Sequence, residues 1–339
     1  MRSRGFNSTD SKNNMKAIVF TKYGTPDVLE LKEIDKPVPK KDEVLIKVYA
    51  VSINDWDLGL FQGDPINRLL NGLFKPKIKI PGSDIAGRIE AVGNNVKKFQ
   101  PGDEVYGDLS GRWGGFAEYV CARENALALK PAVMSFGEAA AIPQAAMLAL
   151  QGLRDKGQIQ SGQKLLINGA GGGVGTFAVQ IARLYGVEVT GVDSSVKLDM
   201  MHSMGFDHVI DYKQEDFTKN GKSYDLILDV KTNRSIFDYT RVLSRNGIYV
   251  IVGGSLGRLL QALILRPWIS MISKKKICFV ALKANKDLEY MNELFETGKV
   301  KPVIDGTYRI EDVPKALRFF SEGTHNGKVV ITVEDDNEF

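Results

Sequence analysis

Cysteine and histidine are scarce in this chain: Cys121, Cys278, His202, His208 and His325 are all that 339 residues contain. Two cysteines cannot build a disulfide framework or a four-cysteine zinc site, and nothing points to an oxidising compartment, so a cytoplasmic protein is expected. A catalytic zinc needs three protein ligands beside an open position. All three histidines lie outside the first, β-rich part of the chain, so no catalytic zinc is expected. Charge of one sign is also lacking. The 45 Lys and Arg against 41 Asp and Glu leave a net charge of +4, and the two signs are interspersed, which argues against a nucleic-acid partner. No internal repeat is visible. The first fourteen residues, MRSRGFNSTDSKNN, have no apolar targeting core and read as a disordered tail or an upstream start.

What is present is a strand, a glycine turn and a helix in immediate succession, KLLINGAGGGVGTFAVQIARL at 164–184. Leu165, Leu166 and Ile167 suit a buried parallel strand, and Val174, Ala178, Ile181 and Tyr185 recur at helical spacing. Between them Ala170, Gly171, Gly172, Gly173, Val174 and Gly175 form an AxGxxG turn rather than a strict GxGxxG. Glycines let the backbone approach a diphosphate, and a helix N-terminus supplies N–H groups and a positive dipole end. The next apolar run, VEVTGV, ends in Asp193, at the distance where a dinucleotide site places its ribose ligand. Ser194, Ser195 and Lys197 follow, two hydroxyls and an ammonium able to hold a phosphate.

Around this unit the pattern is that of a mixed α/β protein. Residues 16 to about 135 carry strand-like runs (KAIVF, EVLIKVYAVSI, DIAGRIEAVG, DEVYGDL, GGFAEYVCA), most of them separated by Pro, Gly, Asn or Asp. At Ser135 the pattern turns helical, with Glu138 completing a capping box. From 164 onward, apolar runs near 165, 188, 208, 226, 248 and 277 give about six strands alternating with helices, as in a doubly wound sheet. VIDGTY and KVVITV near the end return to β character and predict that the C-terminus rejoins the N-terminal domain.

These motifs resemble a medium-chain dehydrogenase/reductase, in particular its zinc-free quinone oxidoreductase-like branch. The likeness runs from Met15 to Val333 through VSIND, PGSDIAGRIEAVGNNVKKFQPGDEVYG, GGFAEYV, GAGGGVG, GFDHVIDY and HNGKVVITV. It implies a GroES-like catalytic domain from 15–135 and 284–339, a Rossmann dinucleotide-binding domain at 136–283 inserted in it, a tail at 1–14, and an active site in the cleft. It places Asn54 and Ser83 where zinc-dependent relatives carry ligands, and gives Asn54 a catalytic role at the nicotinamide ribose or the substrate oxygen. A turn-forming role for Asn54 is the competing reading. Tyr212 matches a tyrosine beside the adenosine, Gly253, Gly254 and Ser255 lie where the nicotinamide half belongs, and Asn326, Gly327 and Lys328 match a stretch near the cofactor. The segment Lys231, Thr232, Asn233 departs from the small residues usual there.

The implied cofactor is NAD(P)H, with Asp193 favouring NADH. Without zinc the acceptor must be polarised by hydrogen bonds or already be electrophilic, which fits a small-molecule quinone or an α,β-unsaturated carbonyl. Trp56, Trp113 and Leu256 are candidates to line an apolar acceptor pocket, plain core being the competing reading. The segment SLGRLLQALILRPWISMISKKK at 255–276 is interrupted by Arg258, Arg266 and Pro267 and falls short of a membrane span. It is read as a cover for the active site or a contact in a homodimer, ahead of a peripheral membrane role. A dinucleotide-binding redox sensor or assembly scaffold without turnover is the alternative function.

Overall fold

The computed structural model describes residues 14–334, and the chain forms two compact units. In chain order the strands are β1 (Asn14–Val19), β2 (Glu30–Asp35), β3 (Glu43–Ser52), β4 (Asp84–Val92), β5 (Glu104–Asp108), β6 (Tyr119–Arg123), β7 (Ala128–Leu129), β8 (Lys164–Asn168), β9 (Glu188–Asp193), β10 (His208–Asp211), β11 (Tyr224–Asp229), β12 (Leu243–Ile251), β13 (Lys276–Phe279), β14 (Ile304–Arg309) and β15 (Lys328–Thr332). The helices are α1 (Asp55–Gln62), α2 (Pro65–Asn71), α3 (Phe136–Ala141), α4 (Pro143–Leu150), α5 (Gly173–Arg183), α6 (Leu198–Ser203), α7 (Ile236–Arg241), α8 (Leu256–Ser273), α9 (Leu288–Glu296) and α10 (Val313–Glu322).

Unit one comprises residues 14–140, 307–321 and 329–334. Its main sheet runs β14-β15-β3-β4-β5-β7, with β6 also paired to β3. β3 is central, and EVLIKVYAVS is buried at nine of its ten positions because this strand is covered on both faces. The C-terminus does return here: β15 runs antiparallel to β3, with Val330 opposite Ser52 and Ile331 opposite Val51. Burying Val329 and Ile331 in the core with Ile46, Val48, Ile53 and Phe61 stabilises this closure by about 2 kcal/mol per side chain.

Unit two comprises residues 141–306 and 322–328. Its six strands are those expected, all parallel, in the order β10-β9-β8-β11-β12-β13. Counting from β8, that order is 3-2-1-4-5-6. The direction of winding therefore reverses between β8 and β11, and the crevice at their carboxyl ends is where such a sheet binds its ligand.

The structure differs from the sequence reading in several places. The helical stretch after Ser135 is two helices: the Ser135–Glu138 capping box forms, with Ser135 N donating to Glu138 Oε2 at 2.9 Å, but Pro143, lacking an N–H, starts a new helix. α5 ends at Arg183, so Tyr185 lies in the following turn while Phe177, Ala178, Ile181 and Ala182 form the buried stripe. Residues 284–306 fall within unit two instead of the catalytic domain. Reciprocal amide clamps hold them there: Gln180 exchanges two 2.9 Å hydrogen bonds with the Lys301 backbone, as Gln151 does with Lys283. Residues 1–13 of the expected tail lie outside the described residues, and Asn14 opens β1.

Candidate functional site

At the carboxyl end of β8 the chain enters the glycine turn through Gly169, whose φ of +84° favours glycine. The Gly169 and Ala170 N–H groups donate to Val192 O at 3.0 and 3.1 Å, tying the turn to β9. Gly171 N donates to Asp193 Oδ2 at 2.9 Å, and Gly327 N donates to Gly171 O at 2.8 Å. α5 then begins at Gly173 with Gly172 as its N-cap.

The five glycines of the turn differ in what an added side chain would meet. A Cβ on Gly175 would lie 2.3 Å from Ala170 O, so this position lets the helix close on the turn. Cβ atoms on Gly169, Gly171 and Gly173 would strike the stems of Lys231, Lys197 and Lys328, at 2.9 Å from Lys231 Cγ and 2.6 Å from each of the other two Cδ atoms. Gly172 alone in the turn is open, its nearest such contact being Gly169 O at 3.7 Å. Its φ of −87° and ψ of 179° suit any residue. Nothing within the chain therefore requires glycine at 172; an approaching phosphate would. Three lysine stems thus pack around one uncovered glycine at a helix N-terminus, an arrangement suited to a pyrophosphate.

The neighbouring groups set the charge. Lys197 Nζ lies 3.8 Å from Asp193 Oδ1, and burial lowers the pKa of its ammonium while Asp193 opposes that shift. Ser194 N donates to Asp193 Oδ1 at 2.8 Å, Ser195 is exposed beside it, and Tyr212, half exposed, donates its N–H to Asp193 O at 3.1 Å. Asn326 N donates to Asp305 Oδ2. The loops after β11 and β12 are zipped together: Thr232 N donates to Gly253 O, Ser255 N donates to Thr232 O, and a Cβ on Gly254 would meet the Thr232 backbone. Ala170–Gly175, Asp193, Ser194, Lys197, Gly327 and Lys328 thus lie around one turn, while Gly253–Ser255 and the exposed Leu256 follow β12.

Sequence reasoning did not assign Lys231 or His325 to this cluster. Lys231 stood out only as a departure, and His325 only as the first residue of HNGKVVITV, beside Asn326, Gly327 and Lys328. His325 is buried, and burial together with the charges of Lys197, Lys231 and Lys328 holds its pKa down to about 3 from an ordinary 6.5. A depressed pKa of this kind contributes stability that is present above 6.5 and lost as pH falls from 6.5 towards 3. His325→Gln is therefore expected to flatten the loss of thermal stability between neutrality and about pH 4. Thermal melts across that range check it, and an unchanged acid slope would contradict it.

In unit one, Asn54 is buried at the start of α1. Its N–H donates to Asp57 Oδ2 at 2.9 Å and its Nδ2 donates to Ser83 Oγ at 3.3 Å, so the turn-forming reading is met while the amide also faces Ser83. Trp56 stands half exposed on α1. Trp113 belongs to the hydrophobic core of unit one, in line with the competing core reading. Burial and the nearby Glu43 push the Cys121 thiol up to about 11, so it is a poor source of thiolate. Among the described residues no group of three or more His, Cys, Asp or Glu side chains is placed to hold a metal ion.

Residues 40–132 match the alcohol dehydrogenase GroES-like domain family, and residues 204–331 match the zinc-binding dehydrogenase family. The chain is 33% identical over 335 residues to 2-methylene-furan-3-one reductase of Solanum lycopersicum, covering 94% of this chain and 79% of that one. It is 32% identical over 331 residues to a chloroplastic NADPH-dependent alkenal/one oxidoreductase of Arabidopsis thaliana, with the same coverage. The solved structure of a quinone oxidoreductase from Coxiella burnetii superposes with a TM-score of 0.84 at 26% identity, covering 95% of this chain and all of that one.

Proposed function

The chain belongs to the medium-chain dehydrogenase/reductase superfamily, in its quinone oxidoreductase-like branch, and from that membership we propose that it reduces quinones or α,β-unsaturated carbonyls without zinc. It is an NAD(P)H-dependent oxidoreductase. When bound, the nicotinamide supplies a hydride from its C4 carbon. Gly172, with the stems of Lys197, Lys231 and Lys328 around it, would hold the pyrophosphate, while Asp193, Ser194, Ser195 and Tyr212 would hold the adenosine end. Gly253, Gly254, Ser255 and Asn326 are proposed on the nicotinamide side.

The Asn54–Ser83 hydrogen bond carries the choice of acceptor. An amide and a hydroxyl stand where a Lewis-acid mechanism would need thiolate or imidazole ligands, and neither is a good zinc ligand. An amide donor can still stabilise charge developing on a carbonyl oxygen, which suffices for an acceptor that is already conjugated. Asn54 orients that oxygen or the nicotinamide ribose, Trp56 flanks the acceptor, and the last proton comes from water. Asn54→Ala is expected to lower kcat for enones at least about tenfold. The fold should persist, because the Asn54 backbone N–H keeps its Asp57 partner. Steady-state rates with a panel of enones and quinones, beside a thermal melt, test this; unchanged kcat would remove Asn54 from the mechanism.

NADH is expected to bind at least as tightly as NADPH, because the Asp193 carboxylate, fixed against Gly171 N, repels a 2′-phosphate of like sign. Asp193→Ser is expected to shift the ratio of the two dissociation constants towards NADPH by about tenfold, or about 1.4 kcal/mol. Fluorescence titration of both cofactors measures it. A native preference for NADPH of that size would show that Lys197 outweighs Asp193.

A further inference from the structure

α8 is built inside out. Its packed side carries Leu259, Ala262, Leu265 and Ile269 against the core of unit two. Its solvent side is as apolar, with Leu260, Leu263, Ile264, Trp268, Met271 and Ile272 exposed from 49% at Leu260 to 77% at Ile272. A helix on a soluble protein ordinarily turns charged residues outward. Here the charges stand at the flank and the end, and all have one sign: from Ser255 to Lys286 there are seven Lys and Arg and no Asp or Glu. Arg266, Lys274 and Lys276 are exposed among them.

Unit one repeats the combination by itself. Leu69, Leu70, Leu73 and Phe74, on and after α2, are 59% to 84% exposed, followed by Lys75, Lys77 and Lys79, with no acidic residue between Pro65 and Ile80. A single exposed apolar residue needs no explanation, but a continuous face does.

We propose that the outer face of α8 docks on the surface of an anionic lipid bilayer. Leu263, Ile264, Met271 and Ile272 would enter the boundary between headgroups and acyl chains, and Trp268 suits the headgroup level. Arg266, Lys274 and Lys276 would pair with lipid phosphates, their stems lying along the apolar surface. The charge decides between occupants. A second copy docked face to face would bring together two stretches, 255–286, whose charged residues are all Lys or Arg, whereas an anionic membrane complements them. Nucleic acid would meet the rim but leave the apolar face in water. The contact is peripheral: among the described residues no helix is long and apolar enough to cross a membrane.

Vesicle flotation at low ionic strength tests the proposal, comparing phosphatidylcholine vesicles with vesicles carrying about one-third phosphatidylserine. The full chain is expected to float with the anionic vesicles and much less with the neutral ones, and to be released by salt. Trp emission should shift to the blue on binding, a shift lost in Trp268→Phe and kept in Trp56→Phe. The pair Ile264→Gln with Ile272→Gln, and separately Lys274→Gln with Lys276→Gln, should each lower partitioning at least about tenfold. All four side chains are exposed, so unchanged thermal melts are expected alongside. Absence of binding to anionic vesicles, or binding that survives the isoleucine pair, would overturn the proposal. So would a dimer, seen by light scattering without lipid, that the isoleucine pair dissociates, which would assign this face to a second copy.

Discussion

Gly175→Ala is expected to destabilise the protein by about 3 kcal/mol or more, and Gly172→Ala, three residues away, to leave the fold nearly intact while weakening cofactor binding. The added methyl at 175 would lie 2.3 Å from Ala170 O, 2.5 Å from Ala170 C and 2.5 Å from Gly169 O. These are backbone atoms that β8 and the hydrogen bonds to Val192 hold in place, so relief requires α5 to lift off the turn. At 172 the methyl meets nothing nearer than 3.7 Å, and losing glycine as the N-cap costs under about 1 kcal/mol. It would, however, occupy the floor on which the pyrophosphate is proposed to rest, raising the dissociation constant about tenfold or more. Thermal melts and cofactor titrations on both variants separate the two roles. If Gly172→Ala bound cofactor normally, the phosphate would have to lie elsewhere.

Asp229→Ala is expected to cost about 4 kcal/mol, because it removes the acceptor at the centre of a buried polar cluster. Asp229 ends β11 with no solvent exposure and accepts from Asn168 Nδ2 at 2.8 Å and Tyr249 OH at 2.6 Å. Asn168 Nδ2 also reaches Tyr239 OH at 3.1 Å, and the Tyr239 and Tyr249 rings stack at 4.7 Å. Burial pushes both phenol pKa values far up, so the two tyrosines stay protonated and remain donors. The cluster pins together the carboxyl ends of β8, β11 and β12, from which the glycine turn and the two zipped loops spring. Tyr249→Phe alone should cost about 1 to 2 kcal/mol, and the double variant less than the sum. Denaturant unfolding of the three variants measures the coupling. Strict additivity would mean that the cluster does not act as a unit.

The doubly wound sheet was legible because each strand is a short apolar run between helical segments, and β15 was legible by its renewed β character. Contacts between distant residues were not. Gln180 clamps Lys301 from 121 positions away, and no local pattern announces that an amide will satisfy both backbone groups of a residue so far along the chain. That clamp ties Lys301 to α5 within unit two. Lys231 and His325 escaped for the same reason: they join the turn through packing of stems and burial. Trp113 was left open between pocket and core, since sequence alone does not separate the two, and it packs in the core of unit one. The place of Asn54 between a strand and a helix was legible, and only the structure adds that its amide faces Ser83.

The central claim is hydride transfer to a conjugated acceptor without a metal, and isotope tracing tests it most directly. The purified protein, treated with a chelator, is given NADH or NADPH deuterated at C4 together with an enone, and the product is examined by NMR and mass spectrometry. The account predicts sustained turnover unaffected by the chelator, with the deuterium found on the β-carbon of the saturated product. Cofactor binding without turnover of any enone or quinone, or activity confined to simple alcohols and abolished by the chelator, would contradict it.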